Sequence, residues 1–98
     1  MINEKELVKL TDIFKSLSDP TRLKIIWVLL EGEKNVSKIC DEISMEQSAT
    51  SHQLRKLKDL KLIKSRKIGR TVYYSIDDNH VYTLIKQGLD QEANLWVK

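Results

Sequence analysis

The sequence is poor in the residues that staple or punctuate a chain: its 98 residues include one cysteine, one proline and three glycines. A single thiol, Cys40, cannot close an internal disulfide, which excludes the cross-linked scaffolds of small secreted domains. So little proline and glycine also excludes collagen-like and low-complexity chains. No apolar run approaches the roughly 18 residues that a membrane-spanning helix requires, and no leader of basic, then apolar, then small residues opens the chain. The setting these absences imply is cytoplasmic, with no membrane partner. Gly-rich phosphate loops, nucleophile elbows and CxxC pairs are missing as well, and the two histidines, His52 and His80, fall in separate elements without catalytic company. The protein is therefore expected not to be an enzyme and to require no cofactor.

What the chain does have is charge and amphipathic pattern. With 41% hydrophobic and 32% charged residues it reads as one mainly helical domain spanning 1–98. Its net charge of +3 hides an asymmetry. Between Gln53 and Tyr74, eight cations (Arg55, Lys56, Lys58, Lys61, Lys64, Arg66, Lys67 and Arg70) face one carboxylate, Asp59, so this segment carries +7 and the remainder −4. A positive field concentrated in one segment attracts phosphate backbones. It is also what an ordinary solvated face looks like, so position in the fold has to decide.

From Glu4 to Leu17, apolar residues Leu7, Leu10, Ile13, Phe14 and Leu17 recur at three- and four-residue steps, the stripe of an amphipathic helix. Ser18-Asp19-Pro20 starts a second helix, with a capping side chain followed by a proline whose missing N–H costs nothing in the first turn. Leu23, Ile26, Trp27 and Leu30 are expected on one face of it, and Gly32 ends it. Asn35 opens a short third helix with Val36, Ile39, Cys40 and Ile43 on its apolar face. After a turn, a fourth runs from Gln47 or Ser48 to Lys61, with Leu54, Leu57 and Leu60 inward and Ser48, Ser51, His52, Arg55 and Lys58 outward. Two short helices joined by a tight turn, the second amphipathic and basic, outline a helix-turn-helix over 36–61.

The period then changes. Leu62 to Lys67 and Arg70 to Ile76 are rich in β-branched and aromatic residues, with Gly69 between them free to take a positive φ, so 62–76 reads as a β-hairpin or wing. Asp77-Asp78-Asn79 caps a last helix whose apolar set, Val81, Leu84, Ile85, Gly88, Leu89, Leu95 and Trp96, is large for a terminal element. That stripe needs a partner. The first and last helices, 1–17 and 79–98, are expected to pair across a twofold axis as a homodimer interface. The fold class is mainly α with a small β-hairpin, a winged helix-turn-helix in the order α-α-α-α-β-β-α.

The segments DPTRLKII (19–26), VSKICDEI (36–43), QSATSHQLRKLKDLKLIKSRKIGRTVYYSI (47–76) and DDNHVYTLIKQGL (77–89) resemble the ArsR/SmtB family of bacterial repressors. The resemblance covers nearly the whole chain. It implies the same element order, dimerisation through the terminal helices, binding of double-stranded operator DNA and release by an effector.

Read from the residues, the fourth helix enters a major groove with its N-terminal side chains at base edges. Gln47, Ser48, Thr50, Ser51, His52 and Gln53 are the candidate base readers, since hydroxyl, amide and imidazole groups both donate and accept. Arg55, Lys56, Lys67 and Arg70 are the candidate phosphate contacts. The competing reading makes Thr50 or Ser51 a packing residue and His52 a structural histidine.

Metal-sensing relatives, as the resemblance implies, carry Asp-x-His at the start of the last helix and two histidines further along. Asp78 and His80 match the first pair, as ligands for zinc or another divalent transition metal acting as effector. Gln91 and Asn94 occupy the second pair of positions, and neutral amides are poor zinc ligands. Asp90 and Glu92 flank Gln91 as alternative oxygen donors, while Asp78 reads equally as a helix cap and His80 as an interfacial histidine. A second family site takes two cysteines in the third helix, and only Cys40 is matched, with Lys38 at the other position. On its apolar stripe, Cys40 reads as a packing residue. Two rival functions stay open: a winged-helix module for an acidic protein partner, and a repressor of this fold that has lost its effector site.

Overall fold

The computed structural model describes residues 1–77 and 79–96, without the side chains of His80, Leu89 and 91–96. Among the described residues, five helices and three strands follow in the order α1 (Glu4–Leu17), α2 (Pro20–Leu30), β1 (Lys34–Asn35), α3 (Val36–Ile43), α4 (Gln47–Asp59), β2 (Ile63–Ile68), β3 (Thr71–Ile76) and α5 (Asn79–Trp96).

Capping side chains set the starts of α1, α2 and α3. The Asn3 side chain accepts from the Glu6 N–H at 2.8 Å, Asp19 from Arg22 N–H at 3.0 Å with Pro20 in the first turn, and Asn35 from Lys38 N–H at 2.8 Å. Each satisfies one of the orphan amides of a helix start, worth roughly 1 kcal/mol. Gly32, at φ +137°, turns the chain out of α2. At the end of α4, the Lys61 N–H donates to Lys58 O and the Leu62 N–H to Leu57 O, with Lys61 at φ +60°. These are the two bonds of a Schellman stop. The helix therefore ends at Asp59 rather than Lys61, because Lys61 is spent on the left-handed residue that turns the chain into β2.

The core is one apolar cluster centred on α2. Ile25, Ile26, Val28 and Leu29 are buried together with Leu17 of α1, Ile39 and Ile43 of α3, Leu54 and Leu57 of α4, Leu62 after α4, Ile63 of β2, and Val81 of α5. Burial of each such side chain favours folding by roughly 1.5–3 kcal/mol. The expected face of α2 needs correction. Ile26 is buried and Leu30 partly so, but Leu23 and Trp27 are 39% and 51% exposed, and the buried set extends round the helix to Ile25, Val28 and Leu29. A helix wedged among several neighbours is buried on more than one side, so no single stripe describes it.

The hairpin of β2 and β3 runs from the pair Ile63 and Ile76 to the pair Ile68 and Thr71, leaving Gly69 and Arg70 as a two-residue loop. Gly69 has φ +62°, and a positive φ at the first loop residue alone is what a type II′ hairpin turn demands. The sheet has a third member that the sequence pattern did not disclose: β1 pairs antiparallel with the far edge of β3, Lys34 opposite Tyr74 and Asn35 opposite Tyr73. This pairing ties the root of the wing to the start of the helix-turn-helix.

Candidate nucleic-acid interface

The face of α4 that packs inward is formed by Thr50, Leu54 and Leu57, spaced i, i+4, i+7 and all with no exposed surface. That anchors the helix and sends Ser48, His52, Arg55 and Lys56 to the outside, where all four are exposed with Gln47. Ser51 is half-buried on the flank. Thr50 therefore is not a base reader. Its side chain is enclosed, and its hydroxyl donates to the Glu46 carbonyl one turn back at 2.9 Å. The spacing to Leu54 and Leu57 already carried this signal.

Gln53 also departs from expectation. It is half-buried, and its Oε1 accepts from Nε of Arg22 on α2 at 2.8 Å, so half of its carboxamide is committed inside the protein. Neither Arg22 nor this pairing was visible in the local pattern, because the two residues are 31 apart.

The wing supplies the second part of the surface. Lys67, Gly69 and Arg70 are exposed at its tip, beside Ile68, which is 54% exposed. Arg70 and Thr71 come together with Gln47 and with Asn35 and Ser37 around a polar groove of about 290 Å³ between the wing turn and the starts of α3 and α4. Residues far apart in sequence thus form one polar surface. One wing cation is withdrawn from it: the Arg66 guanidinium grips Glu33, Nε to Oε2 at 2.7 Å and the second nitrogen to Oε1 at 2.6 Å. The hydrogen bond from Arg66 is the largest influence and holds the Glu33 carboxyl below its ordinary value; desolvation opposes it, and the charges of Arg66 and Lys64 add smaller lowering effects.

Away from this surface, a second exposed region is apolar. Leu7, Leu10 and Phe14 of α1, Leu23 and Trp27 of α2, and Tyr82 and Leu84 of α5 are each 39–53% exposed. Phe14, Leu17, Leu23, Trp27, Leu84 and Ile85 line a groove of about 360 Å³. Asp78 lies outside the described residues, as do the side chains of His80, Gln91, Glu92 and Asn94, while Asp90 is exposed. Among the described residues, no three His, Cys, Asp or Glu side chains converge. Cys40 is half-buried on α3 beside the buried Ile39.

The model of the bacterial regulatory protein family arsR matches residues 19–65, from the start of α2 into β2. The regulator NmtR of Mycobacterium tuberculosis is 33% identical over 94 residues, which make up 96% of this chain and 78% of that protein. The chain belongs to the ArsR family. A cadmium resistance transcriptional regulatory protein CadC homolog of Staphylococcus aureus is 49% identical over 76 residues, 76% of this chain and 63% of the homolog. This ArsR-family chain spans a little under two thirds of the length of that homolog and of a second relative. Among solved structures, a homodimeric winged helix-turn-helix DNA-binding domain from Mycobacterium bovis superposes with a TM-score of 0.82 at 26% identity, covering 94% of this chain and 88% of the other. The ArsR-family winged helix-turn-helix is thus shared in sequence and in shape. No described helix is long and apolar enough to cross a membrane.

Proposed function

We propose that the chain is a homodimeric, cytoplasmic transcriptional repressor that binds double-stranded operator DNA. In this reading α4 enters the major groove and the wing lies against the neighbouring backbone. The observation that carries it is the shared polar surface: Gln47, Ser48, His52, Arg55 and Lys56 stand out from an α4 anchored by Thr50, Leu54 and Leu57, and Gln47 at its start lines one groove with Arg70 of the wing, whose tip also exposes Lys67. Ser51 contributes from the flank. Such helices read base edges with N-terminal side chains while cations hold phosphates. The homodimeric M. bovis domain and the exposed apolar residues of α1, α2 and α5 support a twofold assembly. The reading contains no catalytic step, and it treats 1–98 as one domain.

The test is duplex binding across a salt series, using a duplex enriched from a randomised pool and a scrambled control. A specific repressor prefers the enriched duplex, and its log affinity falls with log salt by about 0.9 per phosphate contact. Equal binding to both duplexes, or a flat salt dependence, would reject it in favour of a protein-interaction module.

The cadmium-resistance relative suggests a divalent transition metal as the releasing effector. At the four positions the resemblance points to, Asp78 and His80 supply one carboxylate and one imidazole while Gln91 and Asn94 are amides, so a four-coordinate zinc site lacks two strong donors unless the flanking Asp90 and Glu92 serve instead. That mismatch favours a second reading, a repressor of the same fold that works without metal. Calorimetric titration with zinc, cadmium and nickel, with and without the enriched duplex, separates the two. Linkage requires an inducing metal to bind the DNA complex more weakly by the factor with which it weakens DNA binding.

A further inference from the structure

We infer that Arg22, a residue of α2, positions the reading helix through Gln53 and so sets how sharply the protein discriminates base sequence. The inference rests on the DNA-binding reading above.

Burial of Thr50, Leu54 and Leu57 fixes the depth of α4 and which face points in, but hydrophobic packing is non-directional and leaves the last several degrees of rotation about the helix axis to directional contacts. A rotation of about 15° moves side-chain atoms some 5–6 Å from the axis by about 1.5 Å. That displacement breaks a hydrogen bond whose working range is a few tenths of an ångström. A directional restraint on the flank of the helix is what resists it. The Arg22–Gln53 bond is such a restraint, placed one residue after the exposed His52 and one before the buried Leu54.

The chemistry of the pair admits one arrangement. Arginine Nε is an obligate donor, so the carboxamide must turn its oxygen inward, at 2.8 Å. The arginine itself is well held. Its backbone N–H donates to the Asp19 cap, it sits one turn before the fully buried Ile25 and Ile26, and its Nη1 lies 3.4 Å from the Oγ of Ser16, which is 1% exposed. One guanidinium therefore joins α1, α2 and α4.

The test is a double-mutant cycle on the dimer of this chain, with Arg22→Ala, Gln53→Ala and the double variant. Affinity is measured for the duplex that wild type enriches from a random pool and for its scrambled control. Each single substitution is expected to lower the ratio of the two affinities by about tenfold, the cost of one spoiled base contact, with the double variant no worse than either single. Gln53→Glu keeps an acceptor for Arg22 and is expected to preserve the ratio, while lowering both affinities through its negative charge. In the free protein, the Arg22 Nε–H is expected to exchange slowly and to speed up in Gln53→Ala.

Additive losses, or a loss of the ratio in Gln53→Glu, overturn the inference. Equal losses on both duplexes with a shallower salt slope also overturn it, since they make Arg22 a direct phosphate ligand. If Arg22→Ala fails to fold, Arg22→Lys carries the same comparison, because an ammonium lacks the fixed Nε–H direction. A wild-type protein that enriches no duplex refutes the DNA-binding reading itself, a result distinct from any of these.

Discussion

Two exposed surfaces of this chain differ in the physics that would cover them. The apolar one, spread over α1, α2 and α5, leaves Phe14, Trp27 and their neighbours about half accessible. Water disfavours it at all ionic strengths, so a partner that covers it is held by forces salt does not weaken. The cationic one, on α4 and the wing, is content in water and gains only when its cations displace the counterions condensed on a phosphate backbone. The difference teaches that assembly and DNA binding can be separated experimentally: the first should be indifferent to salt, the second governed by it.

The largest effect is expected from breaking the apolar side. Replacing Phe14 and Trp27 together by Asp should weaken dimerisation by about a hundredfold or more, since central aromatic anchors are worth about 2–4 kcal/mol each when lost. Sedimentation velocity would show monomers, and duplex affinity would fall with them because two half-sites are no longer engaged together. A variant that stays dimeric would remove this face from the interface.

The next effect belongs to the cationic side. Lys67→Ala with Arg70→Ala should lower affinity for enriched and scrambled duplexes alike and flatten the salt slope by nearly two units, about 0.9 per lost phosphate contact. The dimer should be untouched. An unchanged slope would mean that the wing tip stands off the DNA.

How far these surfaces could be read from sequence depends on the range of the interactions behind them. Helix starts were legible, because Asp19-Pro20 and Asn35 act on amides three residues away. The wing was legible from the β-branched and aromatic residues on either side of Gly69, and the spare apolar stripe of α1 from its period. The stripe of α2 was not, since a helix as apolar as this one carries almost no phase information. Lys34 and Asn35 are poor strand formers, and a two-residue strand is too short to alternate, so β1 was invisible. Within α4, Ser48, Thr50 and Ser51 look alike as residues; only their phase against Leu54 and Leu57 separates the buried hydroxyl from the exposed one. The pairs Arg22–Gln53 and Glu33–Arg66 are 31 and 33 residues apart and belong to the folded chain alone.

A smaller effect sharpens the comparison inside α4. Thr50→Val keeps the shape of a fully buried side chain and removes only the hydroxyl that donates to Glu46 O. It should cost about 1 kcal/mol of stability in thermal unfolding and leave duplex affinity within about twofold. His52→Ala, on the outside of the same helix, should do the reverse, relaxing base preference with little change in melting. Loss of sequence preference in Thr50→Val would return that residue to the DNA surface.

The smallest effect expected is at the one wing cation already engaged. The Arg66 guanidinium bonds both oxygens of Glu33 and so neutralises part of the cationic surface at the root of the wing. Glu33→Gln should release it, steepening the salt slope of duplex binding by at most about 0.9. The same variant should melt slightly earlier at neutral pH, and the sign of its pH dependence follows from the carboxyl. Its value in the folded chain lies below the ordinary 4.5, chiefly through the hydrogen bond from Arg66, so the stabilisation is complete above 4.5 and fades as pH falls through the folded value. Wild type and variant should therefore differ at pH 7 and converge in acid. A melting difference that persists in acid would show that the bridge is not what Glu33 contributes.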